Sequence, residues 1–391
     1  MGNRGLKIAL ICTEKLPVPP IRGGAIQILI DGVLPYLSLK HRVTVYCPDD
    51  PALPSRETKH GVAYVRLPRD NYPQHVGKAL EEARKAGKRY DVVHVFNRPK
   101  DLLVYEAAMP ESRFVVSLHN EMYREHKISE EEGLRSIRKA KRIMCISDYI
   151  GKTIVARFPS AKSKLRTVYS GIDLKQYKPI WSKRAQAVRA ELRKTYDVEG
   201  KKVVLFVGRI SAVKGPDILV QAMEHVVREI PNAVLVIVGA KSFQEQVSKY
   251  MLQLREIAEP MMKHLRFTGF VEPKRLPSIF LMGDVFVCSS QWEEPLARVH
   301  YEAMGAGLPI ITTDRGGNAE IVSHRRNGLV IEDYSNPKAF ADAILYMIRN
   351  KKEAERMAKA GRELAERNHG FEHVAKRLER LYAEAVGAEP K

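Results

Sequence analysis

Short, almost wholly apolar runs recur along the chain, separated by stretches long enough for a helix. In the first half they read LKIALIC, RVTVYC, VAYVRL, DVVHVF, RFVVSLH and RIMCIS. Runs rich in Val and Ile, without strict polar alternation, mark parallel strands covered by helices on both faces. After a mixed stretch from Trp181 to Gly200 the rhythm restarts with KVVLFVG, AVLVIVG, LRFTG, DVFVCS, PIITT and GLVIE. The restart predicts an α/β protein of two doubly wound, Rossmann-like domains facing each other across a cleft.

The segment SGIDLKQYKP carries the Gly, Asp and Pro of a turn-rich connection, and the charged, Ala-rich stretch after it predicts a helix. The boundary is therefore expected near Pro179, with an N-terminal domain over 1–178 and a C-terminal domain over 179–370. From Lys351 to Glu389 the chain is rich in Ala, Glu, Lys, Arg and Leu at helical spacing. Within it, residues 371–391 are expected as a terminal helix that packs back on the N-terminal domain.

The length of 391 residues supports two cores, and 45% apolar with 28% charged residues excludes disordered, collagenous and coiled-coil classes. No apolar run approaches the ~18 residues needed to span a bilayer, and MGNRGLKIALICTEKLP lacks the core of a signal peptide. A cytoplasmic protein is expected. Cys12, Cys47, Cys145 and Cys288 sit in or beside strand-like runs without metal-ligand spacing, and are expected as reduced core residues. The net charge of +19 is concentrated before Lys178. Such a field attracts phosphates, anionic lipid or nucleic acid without choosing among them. Helical stretches such as EEARKAGKRY and GLRSIRKAKRI offer either a solvated basic face or peripheral contact with an anionic membrane. Nucleic acid is not an expected partner.

In open parallel sheets ligands bind at the carboxyl ends of strands, where loops lead into helix N-termini. The strand KVVLFVG runs into Arg209 and the loop ISAVKG, with a helix expected from Pro216. Arg209 and Lys214 thus flank a helix N-terminus, an arrangement suited to a diphosphate. Further on, SSQWEEPLARVHYEAMGAGLPIITTDRGGNAEIV puts Glu294 in a loop before Pro295 and Glu302 one to two turns into a helix ending around Gly305 to Gly307. Two carboxylates at different depths suit the paired hydroxyls of sugar and ribose. Gly316 and Gly317 precede a helical turn expected at Asn318 to Ile321.

GRISAVKG followed by EEPLARVHYEAMGAGLPIITTDRGGNAEIV resembles the retaining glycosyltransferases of family four, which have the GT-B fold and an E-x7-E signature. The likeness extends over both halves, through Arg22, Gly23 and Gly24, SLHN, SGID and NGLVI. More narrowly, EEPLARVHYEAM is similar to the spore-coat-associated glycosyltransferase-like proteins of bacilli, which adds the spore coat or a membrane periphery as a location. The resemblance implies that Arg209 and Lys214 hold the diphosphate of a nucleotide-sugar donor, that Glu302 takes the ribose hydroxyls and that Glu294 faces the sugar. It places His119, after FVVSL, against that sugar from the N-terminal domain, and the donor against Leu296, Ala297 and Arg298. Gly23 and Gly24 would let backbone approach a diphosphate or acceptor. The family reads E-P-F-G where this chain reads Glu294, Pro295, Leu296, Ala297, so Ala297 adds a methyl at a position of close approach.

The resemblance therefore implies a retaining transferase moving a hexose or N-acetylhexosamine from a UDP-linked donor to a glycan, a lipid-linked or a small-molecule acceptor. With no metal-holding DxD loop, protein cations are expected to neutralise the diphosphate. A nicotinamide dehydrogenase is excluded, since TEKLPVPPIRGGA stands where G-x-G-x-x-G would be needed. A nucleotide-sugar epimerase and a non-catalytic scaffold binding polyanions are the alternatives.

Overall fold

The computed structural model describes residues 5–239 and 249–388. The chain forms two compact units, one of residues 1–171 with 371–391 and one of residues 172–370.

The first unit is built on eight strands: β1 (Lys7–Ile11), β2 (Arg42–Pro48), β3 (Arg56–Lys59), β4 (Val62–Leu67), β5 (Val92–Phe96), β6 (Arg113–Leu118), β7 (Ala140–Cys145) and β8 (Leu165–Thr167). Their order in the sheet is β3-β4-β2-β1-β5-β6-β7-β8, parallel throughout except for the β3–β4 pair. Ile8 to Ile11 of central β1 are at most 1% exposed, as strands covered on both faces must be. The helix Phe371–Val386 belongs to this unit, packed on the helix Ala25–Leu37 and on β5 to β7. Gly32 makes the packing possible: a Cβ there would lie 2.4 Å from the Phe371 ring. Tyr382 of the same helix bonds His94 Nδ1 at 2.8 Å, and the other ring nitrogen of His94 meets Ser117 Oγ.

The second unit carries β9 (Lys202–Val207), β10 (Ala233–Val238), β11 (Leu265–Gly269), β12 (Val285–Cys288), β13 (Ile310–Thr313) and β14 (Leu329–Ile331), in the parallel order β11-β10-β9-β12-β13-β14. Every strand expected from the apolar runs forms, and the α/β class with two doubly wound sheets holds. The four cysteines are buried and none forms a disulfide bond.

Four details differ from the sequence expectation. The division falls at Gly171 rather than at Lys178, because Ile172 to Tyr177 are tied to the second unit. Ile172 N–H donates to His369 O at 2.8 Å, Arg362 donates to Tyr177 O at 2.8 Å, and the Tyr177 ring meets Phe280 edge-on at 6.2 Å. The C-terminal stretch is also not one helix: Lys351–Leu364 passes through a π turn, Ala365–His369, and stops at Gly370, which bridges Ile172 as extended backbone. Its expected end at Glu389 lies outside the described residues. Neither basic stretch is wholly helical. The first leaves its helix at Lys85, with Gly87 at a φ of 75°, and the second becomes buried β7 from Ala140, paired with Phe114. Among the described residues no helix is long and apolar enough to cross a membrane.

Candidate active site

Three adjacent strands of the second unit, β9, β12 and β13, end in loops that meet at one end of the sheet. After β9 the chain makes a 3-10 turn, Ala212–Lys214, reverses at Gly215 and starts the helix Pro216–Glu229. Ser289, just past β12, fixes this reversal: its hydroxyl lies 2.9 Å from both Lys214 O and Gly215 O. Arg209 is exposed at the start of the loop. Lys214 does not stand open beside the helix. Its ammonium is 2.6 Å from Glu294 Oε2, and its side chain is 17% exposed against 8% for Glu294.

Glu294 has further partners on the same oxygen. Ser290 Oγ donates to Oε2 at 2.9 Å and the Trp292 indole N–H at 2.6 Å. A carboxylate buried this far retains its charge only when hydrogen bonds and a cation replace water. Here all three donors are supplied within one loop pair, and Lys214 Nζ also lies 5.8 Å from the Trp292 ring centroid. The loop after β13 closes over the backbone of Glu294. Gly317 N–H donates to Glu294 O at 2.8 Å, and Gly316, with a φ of 60°, lies so near that a Cβ would stand 2.1 Å from Glu294 O. Glu293 fastens the same loop, accepting from Gly316 N–H at 2.7 Å and pairing with Arg315 at 2.8 Å.

Between the two glutamates, Leu296 and Ala297 are buried, at 9% and 6% exposure, and the helix begins only at Val299. Glu302 therefore sits in its first turn, not deeper. Ala297 is held on both sides: its N–H reaches Asn318 Oδ1 at 3.3 Å, and its carbonyl accepts from His300 Nδ1 at 2.9 Å. His300 Nε2 is 2.7 Å from Thr312 Oγ1. The helical turn expected at Asn318 to Ile321 is a 3-10 turn, Asn318–Glu320. Glu302 is buried with Arg298 Nε 3.4 Å away. Burial pushes its carboxyl above the ordinary range, and the Arg298 guanidinium pulls part of the way back. Sequence reasoning finds Lys214, Glu294, Ala297 and Glu302 but passes over Ser289, Ser290, Trp292 and His300. The polar run SSQW directly after the strand DVFVC is the available signal for the first three.

In the first unit, His119 follows β6 and is 9% exposed. Its N–H donates to Asn97 Oδ1 at 3.0 Å and its ring stacks on Phe96 with centroids 6.0 Å apart. Burial lowers its pKa to about 4, so the imidazole is neutral at physiological pH, and its buried Nε2 has no protein partner among the described residues. Gly23 and Gly24 lead from β1 into the helix Ala25–Leu37 with φ of 78° and 100°. Arg22, beside them, pairs with Asp50 at 3.1 Å.

Two family models match the chain, "Glycosyltransferase Family 4" over residues 36–176 and "Glycosyl transferases group 1" over residues 188–364. Spore coat protein SA of Bacillus subtilis is 47% identical over 378 residues, 96% of this chain and 99% of that protein. The chain belongs to the GT-B glycosyltransferases of family four. YtcC of the same organism is 46% identical across 96% of this chain and 92% of its own. The fold is shared with HepE of Anabaena, solved in complex with UDP (TM-score 0.78, 21% identity, 96% of this chain and 98% of that one) and with UDP-glucose (TM-score 0.76, 98% and 99%). Among the described residues no group of three or more His, Cys, Asp and Glu side chains is arranged to hold a metal ion.

Proposed function

We propose that this glycosyltransferase moves a hexose or N-acetylhexosamine from a UDP-sugar, with retention at the anomeric carbon and without a metal, to a glycan, lipid-linked or small-molecule acceptor. The observation that carries the reading is the meeting of Lys214 and Glu294, 80 residues apart in sequence, at 2.6 Å where β9 and β12 end. A cation and a hydroxyl-accepting carboxylate at a helix N-terminus are what a sugar diphosphate requires. The HepE complexes with UDP and UDP-glucose support the same donor class for this fold.

In this reading Lys214, Arg209 and the amides at the start of Pro216–Glu229 stabilise the charge that builds on the diphosphate as the glycosidic bond breaks. Glu302 accepts the ribose hydroxyls, Glu294 orients the sugar, and Leu296, Ala297 and Arg298 line the donor. Within the first unit, His119 offers a neutral hydrogen-bonding group, and Gly23 and Gly24 a place for close backbone approach. The test is release of UDP from a panel of UDP-sugars and acceptors with EDTA present, with the product anomer read by NMR. Turnover with an α-linked product from an α-linked donor, abolished in Glu294→Gln, is expected. An inverted product, or activity that requires added divalent metal, overturns the corresponding part.

A further inference from the structure

The three donors on Glu294 converge on one oxygen. Lys214, Trp292 and Ser290 all address Oε2, which saturates it, while Oε1 has no protein partner among the described residues. Only one of the three is charged. Resting on the reading above, a bound diphosphate competes with Glu294 for Lys214, and its greater charge draws the ammonium away. The pair of neutral donors then keeps the carboxylate in place. The indole N–H is the shorter of the two, at 2.6 Å against 2.9 Å, and its direction is fixed by the ring, whereas a serine hydroxyl rotates. The ring itself is only partly covered and stands beside Lys214.

We propose that Trp292 is a positioning and specificity residue for the donor sugar: its indole N–H holds Glu294 so that Oε1 alone meets a sugar hydroxyl, and its ring forms a wall of the sugar subsite. The role of the N–H is separable from nucleotide binding, because it is given to the glutamate and not to the diphosphate loop, and a phenyl ring in its place still stands beside Lys214. It is also observable, since the chain has two tryptophans. The other, Trp181, packs against Gly307 ahead of β13, at the opposite end of the sheet from the loop that holds Trp292.

The experiment uses the full chain. In a Trp181→Phe background, indole emission is followed during titration with UDP, UDP-glucose, UDP-galactose and UDP-N-acetylglucosamine. Calorimetry is then repeated with Trp292→Phe, which keeps an aromatic ring and removes the N–H. At least one UDP-sugar is expected to bind the background protein more tightly than UDP and to change the emission more. Trp292→Phe is expected to weaken that sugar nucleotide about tenfold to a hundredfold, the range for a hydrogen bond to a charged group, with UDP affinity within about twofold. Ser290→Ala is expected to show the same split on a smaller scale; should Trp292→Phe not fold, an emission in the Trp181→Phe background that changes no more with any UDP-sugar than with UDP overturns the role. Equal loss for UDP and UDP-sugar, or no loss for either, overturns the role of Trp292 while leaving the transferase reading intact. Failure of the unmutated chain to bind UDP or any UDP-sugar overturns that reading, and this inference with it.

Discussion

Gly316→Ala adds one methyl group and is expected to disable the enzyme more than it unfolds it. The new Cβ would lie 2.1 Å from Glu294 O, 2.7 Å from Glu294 N and 2.8 Å from Glu294 C, all backbone atoms that no rotamer change can move aside. Ordinary contact begins at 3.4 Å, so one loop must retreat by about 1 Å. A φ of 60° adds about 1 to 2 kcal/mol for a residue with a side chain. The retreat also stretches the 2.8 Å bond from Gly317 N–H to Glu294 O. A displacement of that size at a reacting centre costs on the order of a hundredfold in rate, whereas the stability loss is about 2 to 4 kcal/mol in one unit. The assay is UDP release under saturating UDP-sugar, alongside a thermal melt. A rate reduced about a hundredfold in a protein still folded at the assay temperature is expected. Full activity in Gly316→Ala refutes the claim that the β13 loop sets the position of Glu294.

Two further outcomes concern buried groups. Burial raises the pKa of Glu302, so the charged carboxylate opposes folding above that pKa and the opposition vanishes as pH falls through it. Glu302→Gln is therefore expected to melt higher than wild type near pH 8, with the gap closing toward about pH 4, and to bind UDP more weakly. A lower melting temperature at both pH values contradicts this. Tyr382→Phe removes the 2.8 Å bond to buried His94 and is expected to destabilise the first unit by about 1 to 2 kcal/mol, a few degrees in a melt, without changing UDP affinity.

The strands are legible because a parallel strand buried on both faces has no choice of composition: AVLVIVG and KVVLFVG can be little else. The antiparallel edge strand β3 reads RETK, is mostly exposed and carries no such signature. The break at Gly370 has a local signal in Asn368, His369 and Gly370, all poor helix formers, but its partner has none: the chain pairs there with Ile172, nearly 200 residues earlier. At the candidate site the sequence points to the correct loops but not to their pairing. The motifs assign Lys214 and Glu294 to separate ligand groups, and only the adjacency of β9 and β12 shows that they neutralise each other. Trp292 and His300 are missed for the same reason, since each acts on a backbone or carboxylate oxygen that the spacing of the motif does not reveal.

A diphosphate site in the second unit is the central claim, and titration calorimetry of UDP against the full chain and against Lys214→Ala tests it most directly. Binding by the wild type, weakened at least about tenfold in a Lys214→Ala protein with an unchanged melt, is the predicted result. No binding by the wild type, or equal binding by the two proteins, contradicts it.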